Sequence, residues 1–381
     1  IFLVAWVARR EIGPTAGLLA ALLIAASDRV LWHACEVKPY STDVLCAAAV
    51  LAVFSATSGW TTARRAAVFV PLAPVILFLS YPACFLCGGL LVAMALAARH
   101  ERSRSGTVAC LALAAVVAGA CLLIAIGPVR AQRSDAMLLY WQTGYPNWQR
   151  PWTVPIWTVV STCEAMRYCF MPCGYLLGGF AVVGGVRLCR NGRGDLVALA
   201  AVPLGLNLLA GCCHVYPFAA VRLVAHAIPG LALLIGAGVK PTVTWLAERW
   251  RMPAMLPVAT IVMPLGLSIY HVAVPWFRAD SATAVKYVLN RRDQFEPVLA
   301  NFPECEYYCR DLGDRFHYIA AANELPDRRT WIVLEAFDSS IRESLFKSIV
   351  GQRRVLERRD FNGLTAARLD SIVTEPVASV D

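Results

Sequence analysis

Charge is what this sequence has least of. Acidic and basic residues make up 16% of its 381 positions, against roughly 25% in an ordinary soluble domain. Apolar and aromatic residues reach 58%, where about 45–50% is usual. A water-soluble globule lacks the polar surface it needs at that composition, and disorder, a collagen repeat and a disulfide-rich miniprotein are excluded with it. Also missing are G-x-x-x-x-G-K-S/T, a Rossmann glycine fingerprint, H-E-x-x-H and G-x-S-x-G, so ATP-driven transport, nicotinamide chemistry and the common hydrolase mechanisms lose their support. There is no internal repeat, no low-complexity segment and no signal-peptide n-region. The chain opens at Ile1 inside an apolar run, which reads as the tail of a helix that begins upstream.

The scarcity of charge is uneven. Residues 1–275 carry 20 Lys and Arg against 9 Asp and Glu, whereas residues 276–381 carry 15 against 17. The first region is a cationic, apolar body; the second has the charge density of a soluble domain. The net charge of +9 is therefore no argument for nucleic acid. A membrane crossing needs about 20 apolar residues. On that measure Ile1–Ala8 is a partial span, followed by Gly13–Val30, Val44–Thr57, Ala66–Ser80, Pro82–Ala98, Val108–Ile126, Cys173–Leu188, Leu196–Cys212, Leu223–Val239 and Ala254–Val274. Short loops on one side hold Arg9 and Arg10, Arg64 and Arg65, Arg99, Arg102 and Arg104, Arg190 and Arg193, then Lys240, Arg249 and Arg251. The positive-inside rule makes that side cytoplasmic. The other side receives His33–Thr42, Tyr81-Pro82, Arg130–Pro172, His214–Val221 and everything from Pro275 onward. The expectation is an α-helical polytopic membrane protein of about ten spans in the inner membrane, with residues 276–381 as a small extracytoplasmic α/β domain. In that domain Ser281–Arg291 reads as helix, Pro297–Asn301 and Thr330–Glu335 as strands, and Asp338–Val350 as an amphipathic helix. Arg354–Arg359 and Leu364–Leu369 follow, an alternation that favours a mixed sheet with flanking helices.

Twelve of the fourteen cysteines lie in or near the spans. Cys84 and Cys87 form a C-x-x-C inside an apolar helix, where small thiols pack between helices. Cys305 and Cys309 are four residues apart; a disulfide there would strain a regular helix.

Ionisable residues at membrane depth are costly and default to functional candidates. The densest group is His33, Glu36, Lys38, Tyr40 and Asp43, on the outer side between two spans. Pro39 holds Lys38 out of helical conformation. The bland reading is a helix-end loop facing water, with Lys38 paired to Glu36. A second group is His214, Tyr216 and Arg222, again on the outer side. An arginine that breaks the positive-inside trend and opens an apolar helix suits a phosphate or pyrophosphate through forked hydrogen bonds; its bland reading is snorkelling to the lipid interface. The aromatic stretch Arg130–Pro172, with Tyr140, Trp141, Tyr145, Trp148, Trp152 and Trp157, is an interfacial belt or a wall for a sugar or lipid tail. Glu164 and Arg167 sit three apart and can pair with each other. His100 lies among cytoplasmic arginines, and His226 and His271 read as isolated, packed histidines.

These residues resemble a known family. The run Ala-Ser-Asp-Arg-Val-Leu-Trp-His-Ala-Cys-Glu36-Val-Lys38-Pro-Tyr40-Ser-Thr-Asp43 is similar to the E-x-K/R-x-Y-x-x-D loop of bacterial GT-C membrane glycosyltransferases. These are relatives of the dolichyl-phosphate-mannose–protein mannosyltransferases (family 39) and of the lipid A aminoarabinose transferases. Tyr216-Pro217-Phe218, Arg222 and Pro229 resemble that family's later Y-P-F…R…P segment, with one extra residue before the arginine. Ser80-Tyr81-Pro82 looks like its break in a central hairpin, and Ala284–Val288 to Asn301–Tyr308 is similar to its extracytoplasmic appendage.

The resemblance implies transfer of a sugar from a polyprenyl-phosphate carrier to an acceptor outside the cytoplasm, as part of protein glycosylation or cell-envelope assembly. An acceptor hydroxyl attacks the anomeric carbon as the lipid phosphate departs. A carboxylate takes the proton and cations stabilise the phosphate. Lys38 and Arg222 fit the phosphate, with Tyr40 and Tyr216 adding hydrogen bonds; Glu36, Asp43, Tyr81 and His214 are sugar-binding or structural support. The family's leading catalytic acid belongs to a loop that would precede Ile1, so no residue here inherits it and the chain is expected to be N-terminally truncated. No metal site is read from the sequence, and dependence on a divalent metal stays open. The expected partners are the lipid donor, the bilayer and an acceptor of unspecified class, with no nucleic acid. Two other readings remain: a transporter or lipid flippase, and a non-catalytic membrane scaffold.

Overall fold

The structure is a computed structural model that describes residues 1–35, 39–130, 141–218, 222–250, 255–274, 279–302, 304–319, 325–336, 338–351 and 353–371. The chain divides into two compact units, Ile1–Ala273 and Val274–Asp381.

The first unit is helical: α1 (Phe2–Glu11), α2 (Pro14–Ala25), α3 (Asp28–Cys35), α4 (Tyr40–Ala56), α5 (Thr62–Leu79), α6 (Ala83–Glu101), α7 (Arg104–Ile124), α8 (Val154–Cys169), α9 (Gly174–Arg190), α10 (Gly194–Cys212), α11 (Ile228–Trp250) and α12 (Met255–Ala273). A short 3-10 turn, Arg222–Ala227, leads into α11. Each stretch expected to cross the membrane is helical, but their lengths differ from the expectation. Among the described residues five helical stretches are long and apolar enough to cross: Thr62–Leu79, Ala83–Glu101, Arg104–Val129, Gly194–Cys212 and Arg222–Arg249. Two bent pairs, α2 with α3 at 53° and Pro151–Cys169 with α9 at 101°, raise the number to seven if each is one crossing. Tyr40–Ala56 and Val262–Ala273 are shorter apolar helices. The difference has a local cause in the first pair: the expected single span Gly13–Val30 breaks at Ala26, where the backbone leaves helical geometry and Asp28 opens a new helix.

Two observations describe how the bundle packs. Only 22% of the Arg104–Val129 window is buried, against 89% of Arg222–Arg249, so α7 is peripheral and α11 is the central helix. Leu18, Phe78, Val108, Leu111, Leu122, Val182 and Ile269 are exposed; an apolar surface that extensive is what a helical membrane protein presents to lipid. Backbones approach closely where glycines face each other. A Cβ on Gly184 of α9 would lie 1.9 Å from the Leu234 carbonyl oxygen, and one on Gly238 of α11 would lie 1.9 Å from that of Phe180. Small residues at such crossings replace the hydrophobic drive that lipid cannot supply.

Polar contacts clasp the two ends of this unit. At one end the Glu11 carboxylate accepts from Ser55 and Arg193, with Arg193 also 3.3 Å from Asp195. Nearby, buried Arg65 donates to the Phe54 carbonyl at 3.0 Å and lies over its ring. At the other end Trp148 Nε1 donates to the Cys212 carbonyl at 2.7 Å, and the Phe218 amide to that of Gly144 at 2.8 Å. Each set joins loops that the charge pattern assigns to one side.

The second unit is a five-stranded mixed sheet: β1 (Val298–Ala300), β2 (Phe316–Tyr318), β3 (Thr330–Glu335), β4 (Val355–Phe361) and β5 (Leu364–Leu369), in the order β2-β1-β3-β5-β4. β1 runs parallel to β2 and β3, while β5 runs antiparallel to β3 and β4. Asn362-Gly363 turns the last hairpin, with Gly363 at φ 76°, a left-handed backbone that glycine adopts at no steric cost. One sheet face packs on α13 (Ser281–Arg291) and α14 (Glu304–Cys309); the other packs on α15 (Ser339–Val350). Asp338 caps α15, and hydrogen bonds from Ser340 and Ile341 hold its carboxyl below the usual range. Cys305 and Cys309 are both buried free thiols, with sulfurs 3.7 Å apart in hydrogen-bond contact and no disulfide between them. A partly buried ion pair joins sheet to loop: Arg368 donates to Glu296 at 2.9 Å through Nε, and Trp331 Nε1 donates to the same carboxylate at 3.1 Å.

Two outcomes follow from this packing. Gly184→Leu drives a side chain into the α11 backbone and is expected to destabilise the first unit by about 1–3 kcal/mol, read as a lower unfolding temperature in detergent. Glu296→Ala leaves Arg368 with Asp293 but strands the buried Trp331 indole N–H, and should destabilise the second unit by about 1–3 kcal/mol, read by limited proteolysis of residues 279–371 in the intact chain.

Candidate functional site

The site assembles at the end of the first unit where α3, α4, the loop after residue 140 and the Arg222 turn meet. Arg222 stands at the entry to the most buried helix. Its guanidinium lies over two rings, Tyr40 at 5.3 Å and Trp141 at 5.7 Å. Cation–π contact of this kind holds a guanidinium flat without neutralising it. Among the described residues Arg222 makes no ion pair, and its buried Nε has no hydrogen-bond partner. A guanidinium positioned by ring faces suits an anion, which it receives through forked hydrogen bonds.

Tyr40 opens α4 and also meets the His33 ring at 5.1 Å. His33 is buried and its Nε2 lies 2.7 Å from the Tyr168 hydroxyl. The Arg29 guanidinium sits over the Tyr168 ring at 5.2 Å. An aromatic and cationic cluster thus runs from Arg29 through Tyr168, His33 and Tyr40 to Arg222.

The other expected residues separate into support roles. Asp43 is buried on α4 and accepts from Ser80 Oγ at 2.6 Å, so its carboxylate ties α4 to the Ser80-Tyr81-Pro82 break between α5 and α6. Tyr81 packs partly buried against the core. Tyr216 meets the Phe85 ring edge-on at 5.4 Å, and Phe85 also contacts His226 at 5.5 Å. His214 takes a positive φ of 55° and stacks on Tyr145 at 4.9 Å. Arg222 and Tyr40 are therefore brought together, while Asp43, Tyr81, Tyr216 and His214 contact other neighbours. Glu36 and Lys38 lie outside the described residues. Glu164 pairs with Arg167 at 2.5 Å, and Tyr175 donates to the same carboxylate.

Sequence reasoning missed several members. Arg29 and Tyr168 carry no motif, and Asp28 stands out only as part of a run. His271, expected to be isolated on an apolar face, is instead paired: its Nδ1 lies 2.7 Å from Asp28 Oδ1. That pairing spans 243 residues, so no local spacing could reveal it; the one available signal was a carboxylate inside an apolar run. Among the described residues no group of three or more His, Cys, Asp or Glu side chains is placed to hold a metal.

Compared with protein-family models and with curated proteins, the chain matches none.

Asp43→Ala would leave the Ser80 hydroxyl buried without its acceptor. The expected result is a loss of about 1–3 kcal/mol, seen as a lower apparent unfolding temperature with the protein still inserted.

Proposed function

We propose that this chain is a GT-C-type membrane glycosyltransferase that moves a sugar from a polyprenyl-phosphate donor to an acceptor on the extracytoplasmic side. One observation carries the reading: the Arg222 guanidinium lies over the rings of Tyr40 and Trp141 and, among the described residues, makes no ion pair. A cation positioned by aromatic faces at the entry of an apolar helix suits an arriving anion, and a departing lipid phosphate is such an anion. The motif resemblance of the Glu36–Asp43 and Tyr216–Pro229 segments supports the same assignment, with Lys38 as the second cation. In this reading the positive-inside pattern, together with the contacts that join loops of one side, supports placing the Arg64 end in the cytoplasm and residues 276–381 outside it, in an inner-membrane protein.

The test uses the full-length protein in proteoliposomes with radiolabelled polyprenyl-phosphate-linked mannose, glucose and arabinose. Lys38→Ala and Arg222→Ala are each expected to lower transfer by about 100-fold or more while expression stays intact. Unimpaired transfer in both variants would remove the site assignment.

A second reading, proton-coupled transport, is favoured by one feature: a helix break that places the buried pair Asp28–His271 inside the apolar body. Intramembrane carboxylate–histidine pairs at broken helices serve proton relays in transporters. Acidification of vesicles coupled to solute uptake, without sugar transfer, would favour that reading over the first.

A further inference from the structure

Just beyond the close contact of Gly184 with α11, the two helices carry a cation each, Arg187 on α9 and Lys240 on α11. Pro241 follows Lys240 inside α11 and has no N–H to give the Ala237 carbonyl four residues back. Arg187 Nη1 donates to that carbonyl at 3.2 Å instead. The proline thus frees an acceptor that pins the guanidinium of the neighbouring helix. Arg187, Lys240, Pro241, Thr244, Trp245 and Glu248 line an open cavity of about 370 Å³. That volume falls within the range of small-ligand sites, about 300–1,000 Å³.

Depth decides which kind of anion reaches this cavity. From Arg222 through the 3-10 turn and along α11 to Lys240 the chain rises about 30 Å, the thickness of a bilayer's hydrocarbon core. No Lys, Arg, Asp or Glu lies between the two residues. With Arg222 at one end of that apolar stretch, Lys240 stands at the other, at the level of lipid headgroups. Trp245, 56% exposed, adds an indole, a ring that gathers at the same level. A basic pocket between helices at a membrane interface suits an anionic headgroup. Charge narrows the choice further. The lining holds two cations and one carboxylate, and among the described residues neither Arg187 nor Lys240 makes an ion pair. An anionic lipid brings a phosphate alone to balance the excess, whereas a zwitterionic lipid brings a further cation.

We infer that the cavity between Arg187 and Lys240 binds the phosphodiester of an anionic phospholipid. The guanidinium and the ammonium receive the phosphate through charge-assisted hydrogen bonds, and Trp245 packs against the lipid's glycerol. The site goes beyond the glycosyltransferase reading and does not rest on it, since it lies at the end of α11 away from Arg222.

The test is native mass spectrometry of the full chain in detergent micelles, with equimolar phosphatidylglycerol and phosphatidylethanolamine of identical acyl chains. Phosphatidylglycerol is expected to be retained in preference. Lys240 is the residue to vary, because Arg187 also closes the helix at Pro241 and its loss would disturb the fold. Lys240→Gln, a change at an exposed side chain, is expected to weaken phosphatidylglycerol binding by about 10-fold or more. Arg64→Gln, which removes an exposed cation outside the lining, should leave it unchanged. Equal retention of the two lipids, undiminished binding in Lys240→Gln, or an equal loss in Arg64→Gln overturns the site. Inorganic phosphate at the lipid's concentration should not displace phosphatidylglycerol; displacement would assign the cavity to a free anion and overturn the lipid.

Discussion

Backbone contact between glycines is the constraint on which the first unit depends. Gly184 and Gly238 leave no room for a Cβ, so α9 and α11 touch main chain to main chain. In lipid this replaces the burial of apolar area that drives packing in water, because lipid tails are as apolar as the side chains. The consequence reaches the site. Once α11 is wedged at the centre, the turn at Arg222–Ala227 that precedes it must emerge among the neighbouring helix ends, and its arginine meets the rings of Tyr40 and Trp141.

The polar residues inside this apolar body fall into two kinds. Some are satisfied by their surroundings: Glu11 between Ser55 and Arg193, and Asp43 with Ser80. These clasp helix ends together, and their charges or dipoles are answered in place. Arg222 is different, since aromatic faces position it and it makes no ion pair among the described residues. Asp28 and His271 form a third case, a buried pair that joins two segments already joined by the Ser268 hydrogen bond. The contrast between answered and unanswered charge, rather than the mere presence of charge, is what distinguishes a site from a clasp.

Much of the architecture was legible in the sequence because its signals are local. A run of apolar residues is a helix wherever it sits, and Thr330–Glu335 and Ser281–Arg291 fall where their patterns put them. Other elements were illegible for equally local reasons. β2 is three residues long and mostly exposed; it exists because its main chain pairs with β1, and backbone hydrogen bonds leave no trace in side-chain pattern. The break at Ala26 was hidden inside a continuous apolar run, and only Asp28, one charged residue among apolar neighbours, marked it.

Hydropathy and charge by themselves determined that the chain is a helical, apolar body followed by a small mixed-sheet unit, since both properties are read residue by residue. Motif spacing proposed Tyr40 and Arg222 as members of one site. Only the tertiary structure decided that they touch, that Trp141 completes the cradle, and that Asp43 serves Ser80 instead. It alone joined Asp28 to His271. Contacts between segments hundreds of residues apart are set by how helices pack, and packing depends on shape at every crossing at once, which no single stretch of sequence contains.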